Sequence, residues 1–156
     1  MERIPITHEG RKKLEEELNH LKHVERPKIV KAIGEARSHG DLRENADYHA
    51  AREAQGLLEA KIRLLEHKLA SSYIINLAKI PKDTVAITAK VTVKDLDSGE
   101  TERYHLVGQG EADPDNGKIL VTSPLAKELI GRQAGEKVSI KAPMGILKYE
   151  IVSIEY

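Results

Sequence analysis

The chain contains no cysteine, no tryptophan and no phenylalanine, and aromatic residues make up only 3% of its 156 positions. Without cysteine there is neither a disulfide staple nor a thiolate metal site, and a reducing cytoplasm is the natural expectation. So few aromatics leave little bulk to fill one large core. Net charge is missing too: 25 basic side chains balance 25 acidic ones. A freestanding nucleic-acid binder usually carries a basic excess that displaces counterions, so any charge-driven function here must be local. The longest stretch free of charged residues is Leu69 to Ala78, ten residues, far below the roughly 20 needed to cross a bilayer. The opening Met1-Glu2-Arg3-Ile4-Pro5 runs into polar, helix-forming sequence rather than an apolar signal core. There is no Gly-x-Ser-x-Gly elbow and no phosphate-cradling glycine loop, so no complete active site is expected in the isolated chain.

What is present suffices to fold. A hydrophobic fraction of 40% with balanced charge lies outside the range of disordered chains, and the length suits one domain or two small ones. Composition changes near residue 72. Before it run Glu, Lys, Arg, Leu and Ala, all strong helix formers. After it Val, Ile and Thr alternate with polar residues between Gly, Pro and Asp. The expected fold class is α+β: an antiparallel coiled-coil hairpin over 1–75, then a small antiparallel sheet with one short helix over 76–156.

In the first half, Leu14, Leu18 and Leu21 share a helix face, and Ile29, Ile33 and Ala36 continue it after a slip of one residue near Pro27. A kink or break is expected there, because proline removes a hydrogen bond and crowds the preceding turn. Ser38-His39-Gly40 should end the helix. A second helix is expected to restart at once, with Tyr48, Ala51, Gln55, Leu58, Ile62, Leu65 and Leu69 forming a heptad seam. An arm of about 30 residues extends roughly 45 Å. Alanines at 46, 50, 51 and 54 keep the turn end narrow. In the second half, strands are expected at Val85–Val93, Glu102–Val107, Ile119–Thr122, Lys137–Ala142 and Ile146–Ile154. A short helix between them is capped by Ser123, with Pro124 in its first turn and Gly131 after its end.

The turn between the helices gathers Asp41, Glu44 and Asp47. Two readings stand side by side. Asp41 followed by Glu44 has the spacing of a capping box, and acidic residues suit the first turn of a helix. Alternatively, one or both carboxylates stay free to share a hard cation such as Mg²⁺, which commonly takes only one or two protein carboxylates and completes its shell with water and phosphate. Charge is locally uneven around the turn. Residues 20–39 hold five cationic side chains against two glutamates, and residues 40–54 hold four acids against Arg43 and Arg52. The plain interpretation is a solvated helix face; the sharper one has Arg37 and Arg52 steering a phosphate backbone toward the acids. His20 and His23 sit one helical turn apart, but no third ligand accompanies them.

The segment from Glu35 to Glu53, EARSHGDLRENADYHAARE, closely resembles the Gre transcript cleavage factors of bacteria, the GreA type in particular. Ile4-Pro5-Ile6-Thr7, Arg26-Pro27, Ser123-Pro124-Leu125-Ala126 and Leu129-Ile130-Gly131 look like that family as well. The resemblance implies an FKBP-like C-terminal domain, with Ser123 and Pro124, that docks at the rim of the secondary channel of RNA polymerase, while the coiled coil enters the channel. It implies that Asp41 and Glu44 help to hold an Mg²⁺ shared with the polymerase active site, no cofactor being bound stably by the chain itself. The polymerase, not this chain, would then hydrolyse backtracked nascent RNA. Arg37, Arg43, Asn45, Tyr48 and Arg52 are the expected contacts to RNA or polymerase. Competing expectations are a non-cleaving inhibitory paralogue, a prolyl isomerase built on the FKBP-like half, and a plain coiled-coil scaffold.

Overall fold

The structure, a computed structural model, describes residues 3–156. Its contacts divide the chain into two compact units. The helical unit is Arg11–Ser71; the other comprises Ser72–Tyr156 together with the N-terminal strand and the chain up to Gly10. By contacts, therefore, the helical unit is narrower than the 1–75 expected from composition.

Helix α1 (His8–His20) and helix α2 (Arg26–Arg37) are joined without a break through a π turn at Leu21–Glu25. In a regular α-helix the Pro27 ring would press on the carbonyl of His23, four residues back. Here the Arg26 N–H reaches five residues back to the Leu21 carbonyl, and the wider turn absorbs the proline. Neither a kink nor a break is needed to explain the slip in the sequence. The extra residue of a π turn advances the apolar stripe by one position. Leu14, Leu21 and Ala36 are buried along it, with Leu18, Ile29 and Ile33 half-buried.

Helix α3 (Ala46–Ala70, 25 residues) is about 37 Å long at 1.5 Å per residue. Leu58, Ile62 and Leu65 are buried, and Tyr48, Ala51, Gln55 and Leu69 half-buried, which is the seam the spacing predicts. It packs along α2 in the hairpin. Charged pairs flank the seam: Arg26 meets Glu59 through two hydrogen bonds, Nε to Oε1 at 2.8 Å and Nη2 to Oε2 at 2.9 Å, and Lys22 lies 3.1 Å from Glu66. The forked geometry of the first pair sets register between the helices as well as joining them. His20 lies 3.2 Å from Glu25, so this histidine has a carboxylate neighbour.

The second unit is built on a five-stranded sheet in the order β5-β4-β3-β7-β6, from β3 (Lys90–Asp95), β4 (Thr101–Val107), β5 (Lys118–Leu120), β6 (Lys137–Ala142) and β7 (Gly145–Glu155). The expected all-antiparallel sheet is corrected at one place, because β4 and β5 run parallel. The chain between them is long enough to return to the starting edge, passing a short 3₁₀ turn at Pro114–Asn116. A second correction concerns Val85–Val93. Only its end joins a strand, since Thr88 takes φ +76° and interrupts the ladder. Val85, Ile87 and Ala89 nevertheless stay buried at alternate positions. Helix α4 (Pro124–Leu129) buries Ala126 and Leu129 in the same core as Val91, Val93, Leu106 and Ile151.

Composition did not point to one further pairing. Strands β1 (Ile4–Ile6) and β2 (Ser72–Ile74) lie parallel, with Ile4 opposite Ser72. β1 is also bonded to the larger body of this unit, the Gln109 N–H donating to the Pro5 carbonyl at 3.1 Å. Gly108 permits that approach: a Cβ there would lie 2.8 Å from the Pro5 oxygen and 3.2 Å from the Ile6 Cα.

Candidate functional site at the hairpin turn

The turn is built from the end of α2, a short loop and the start of α3. The N–H groups of Ser38 and His39 donate to carbonyls of α2, the latter to Ala36 at 3.2 Å. The Ser38 hydroxyl donates to the Glu35 carbonyl at 2.6 Å. Gly40 then takes φ +112°, a conformation that costs other residues a steric penalty, and the chain leaves the helix.

The capping box expected from Asp41 and Glu44 is not what starts α3. Its N-cap is Asn45, whose Oδ1 accepts the Tyr48 N–H at 3.0 Å. The same side chain donates from Nδ2 to the Ala36 carbonyl at 2.6 Å. An aspartate in its place could not do both, for a carboxylate has no proton to give. One residue thereby satisfies an orphan donor at the start of α3 and adds a second bond to a carbonyl near the end of α2 that already accepts the His39 N–H. Asp41 instead closes a local turn, its Oδ1 accepting the Arg43 N–H at 2.9 Å, a common aspartate conformation. His49 braces the loop from α3, one ring nitrogen lying 3.0 Å from the Arg43 carbonyl.

The consequence is chemical. Relieved of capping, the Glu44 carboxylate carries no hydrogen bond or ion pair among the described residues, and Asp41 uses only one oxygen there. Both residues are exposed, and they line one open cleft of about 360 Å³ with His39, Asn45, Ala46 and Asp47. Hard oxygen donors on an open surface suit Mg²⁺, which tolerates few protein ligands and keeps much of its water. Among the described residues no three His, Asp or Glu side chains are grouped closely enough to hold a metal together. The turn fits a share of an ion whose other ligands come from elsewhere, not a cage of its own.

Of the remaining expected site residues, Asn45 lines the cleft but is engaged in holding the turn. Arg37, in the last turn of α2, and Arg52, in the second turn of α3, are exposed and carry no ion pair among the described residues. Arg43 is exposed in the loop, its backbone tied to Asp41 and His49. Tyr48 is half-buried with its ring 5.7 Å from that of His49, edge to face. Ser123 and Pro124 belong to the other unit. The Ser123 hydroxyl accepts the Ala126 N–H at 3.3 Å, so it caps α4. Pro124 borders an open cleft of about 500 Å³ with Thr122, Lys127, Ser139 and Lys141. Sequence reasoning did not assign His39 to the acidic cleft or His49 to the loop, and a histidine beside a turn gives no periodic signal that would single it out.

A helical hairpin presenting unengaged carboxylates at its turn, joined to a sheet domain, is the architecture on which comparison with known proteins bears. Residues 4–74 match the N-terminal family described as "Transcription elongation factor, N-terminal", and residues 80–156 match its C-terminal companion, "Transcription elongation factor, GreA/GreB, C-term". The chain belongs to the GreA/GreB family of transcription elongation factors. It is 55% identical over 155 residues to Transcription elongation factor GreA of Thermodesulfovibrio yellowstonii, covering 99% of this chain and 98% of that one. It is 49% identical over 157 residues to the GreA of Methylococcus capsulatus, covering 100% and 99%. Among solved structures, GreA factor homolog 1 (Gfh1) of Thermus thermophilus aligns over 99% of both chains at 24% identity with a TM-score of 0.47, a likeness too loose to bear on function. No helix among the described residues is long and apolar enough to cross a membrane.

Proposed function

We propose that this chain is a transcript cleavage factor that enters the secondary channel of RNA polymerase with its helical hairpin and stimulates hydrolysis of backtracked nascent RNA by the polymerase. The observation that carries this reading is the release of Asp41 and Glu44 from capping, which leaves unengaged carboxylate oxygens in one open cleft. Asn45 does the structural work in their place. A shared Mg²⁺, when bound, would supply an activated water and charge stabilisation for phosphodiester hydrolysis. Asp41 and Glu44 would hold their share of the ion, and Asn45 and His49 keep the loop that presents them in shape.

Arg37, Arg43 and Arg52 would draw the RNA or its surroundings toward the turn through charge. Among the described residues Arg37 and Arg52 have no ion pair, so no carboxylate there neutralises their attraction, which should weaken with salt. Tyr48 would pack beside the RNA end. The sheet domain would dock at the channel rim through the α4 region, with Pro124 on the surface and Ser123 fixing the start of that helix. The chain is not itself an enzyme on this reading, because the acids at its turn form only part of a site.

The test is a stalled, backtracked elongation complex with end-labelled RNA, resolved on a gel with and without the protein. Asp41→Asn and Glu44→Gln should each slow stimulated cleavage by about 10²-fold, the size of effect typical for removing one group that stabilises a transition state. Competition with the wild-type protein should show that both variants still bind polymerase. Wild-type cleavage rates in both variants would remove the proposal.

A further inference from the structure

We propose that the outer face of strands β3, β4 and β5 is a phosphate-binding site. Strand pairing sets Lys90 opposite His105, and His105 opposite Lys118. Paired residues share a face, so these three side chains form a row across the sheet, about 10 Å long at the usual strand spacing. Arg103, two residues before His105 on the same face of β4, joins them. Lys90, Arg103, His105 and Lys118 border one open cleft of about 320 Å³, closed at one side by Asn116 and Gly117.

Opposed like charges destabilise a sheet, and a surface usually relieves them with nearby acids. Here that relief is incomplete. Among the described residues neither Lys90 nor Lys118 has an ion pair. The carboxylate that continues the row, Glu155 opposite Lys90 on β7, is held by Arg103 at 2.9 Å. The lining contains no Phe, Tyr, Trp or aliphatic side chain, and Tyr104 sits at the alternate position of β4, hydrogen-bonded to Glu102. Beyond the His105 ring and the Arg103 guanidinium plane, such a cleft offers nothing on which a base could stack. It offers cations and hydrogen-bond donors, the groups that recognise phosphate oxygens.

His105 gives the site a pH dependence. Burial first, then Lys90 and Lys118, push its pKa below the usual imidazole value; Glu111 and a backbone hydrogen bond at Thr88 act the other way. Arg103 and Glu155 complete the charged groups around it. A bound phosphate brings negative charge that favours the imidazolium, so binding raises the folded-state pKa, takes up a proton and tightens as pH falls through the range of His105 titration. The phosphate could come from the diester backbone of a nucleic acid or from a free polyphosphate, which share this chemistry.

Solution NMR of the full chain, following the His105 ring signals against pH, tests the site. Three additions are compared: inorganic pyrophosphate, a single-stranded oligothymidylate without terminal phosphates, and sodium chloride at matched ionic strength. Pyrophosphate, the oligonucleotide or both should move the His105 inflection upward by about half a pH unit or more, and sodium chloride should not. A response to the oligonucleotide assigns the backbone as the source; a response to pyrophosphate alone assigns free polyphosphate. The doubly substituted Lys90→Gln/Lys118→Gln protein should lose the response. Both lysines are exposed, and the dispersed spectrum of the variant reports its folding. An equal shift in sodium chloride, no shift with either phosphate compound, or a shift that survives in the double variant would overturn the proposal.

Discussion

Replacing Asn45 by alanine removes two hydrogen bonds that act on different helices. The first caps α3 by accepting the Tyr48 N–H at 3.0 Å; the second donates to the Ala36 carbonyl of α2 at 2.6 Å. Loss of an N-cap costs about 1 kcal/mol. Loss of the second bond costs about 1 kcal/mol more, the net worth of a typical hydrogen bond, the Ala36 carbonyl keeping the His39 N–H at 3.2 Å. The effect is local, since the turn can open without unfolding the sheet domain. About 2 kcal/mol on that opening corresponds to roughly a 30-fold larger open population. Hydrogen exchange reads it directly: the Tyr48 amide should exchange about 30-fold faster in Asn45→Ala, while amides near Ile62 change little. Asn45→Asp separates the two bonds. It keeps the acceptor for Tyr48 but has no proton for Ala36, so about 1 kcal/mol is lost and exchange rises only about fivefold. An unchanged Tyr48 rate in Asn45→Ala would refute the view that this side chain holds the turn.

Other consequences are simpler to state. Ile62 is 1% exposed in the hairpin seam, so Ile62→Ala should lower stability by about 2–5 kcal/mol in a denaturant titration, and a loss below about 0.5 kcal/mol would contradict the packing. Gly108→Ala would push a Cβ to 2.8 Å from the Pro5 carbonyl; overpacking against backbone should cost about 1–3 kcal/mol, visible as a lower Tm, with an unchanged Tm counting against the close approach. The hydrogen bonds from Arg26 hold the Glu59 carboxyl below its ordinary pKa. A lowered folded-state pKa stabilises above the unfolded value and is lost as pH falls through the folded one. The stability gap between wild type and Glu59→Gln should therefore narrow in acid, below about pH 4.5, and a gap that stays constant with pH would show that the pair contributes nothing through ionisation.

Much of this was legible in the sequence where a period or a local rule was strong. Seven positions stepping by three and four from Tyr48 to Leu69, all but Gln55 apolar or small, carried the α3 seam, and Ser123-Pro124 carried the start of α4 by capping chemistry alone. The slip near Pro27 was legible as a slip but not as a π turn, because a proline inside an apolar stripe is equally compatible with a kink. Asn45 was hidden for a different reason. Asp41-x-x-Glu44 satisfies the capping-box spacing on paper, and what decides against it is that Asn45 caps α3 while its Nδ2 also reaches the Ala36 carbonyl nine residues away, a bond that a carboxylate cannot donate. Three-residue strands such as β1 and β2, one with a central proline, are too short to show alternation, and the parallel pairing of β4 with β5 depends on contacts that no local pattern records. The acidic residues of the turn were legible as candidates; that Glu44 and one oxygen of Asp41 are unengaged among the described residues became visible only in the geometry.

The central claim is that Asp41 and Glu44 lend oxygen ligands to an ion shared with polymerase. The dependence of transcript cleavage on Mg²⁺ concentration in a backtracked complex tests it most directly. With the wild-type protein, half-maximal cleavage should require markedly less Mg²⁺ than polymerase alone, and with the Asp41→Asn/Glu44→Gln protein the curve should return to that of polymerase alone. A wild-type curve that rises in amplitude without moving along the Mg²⁺ axis, or a double variant that still moves it, would contradict the account.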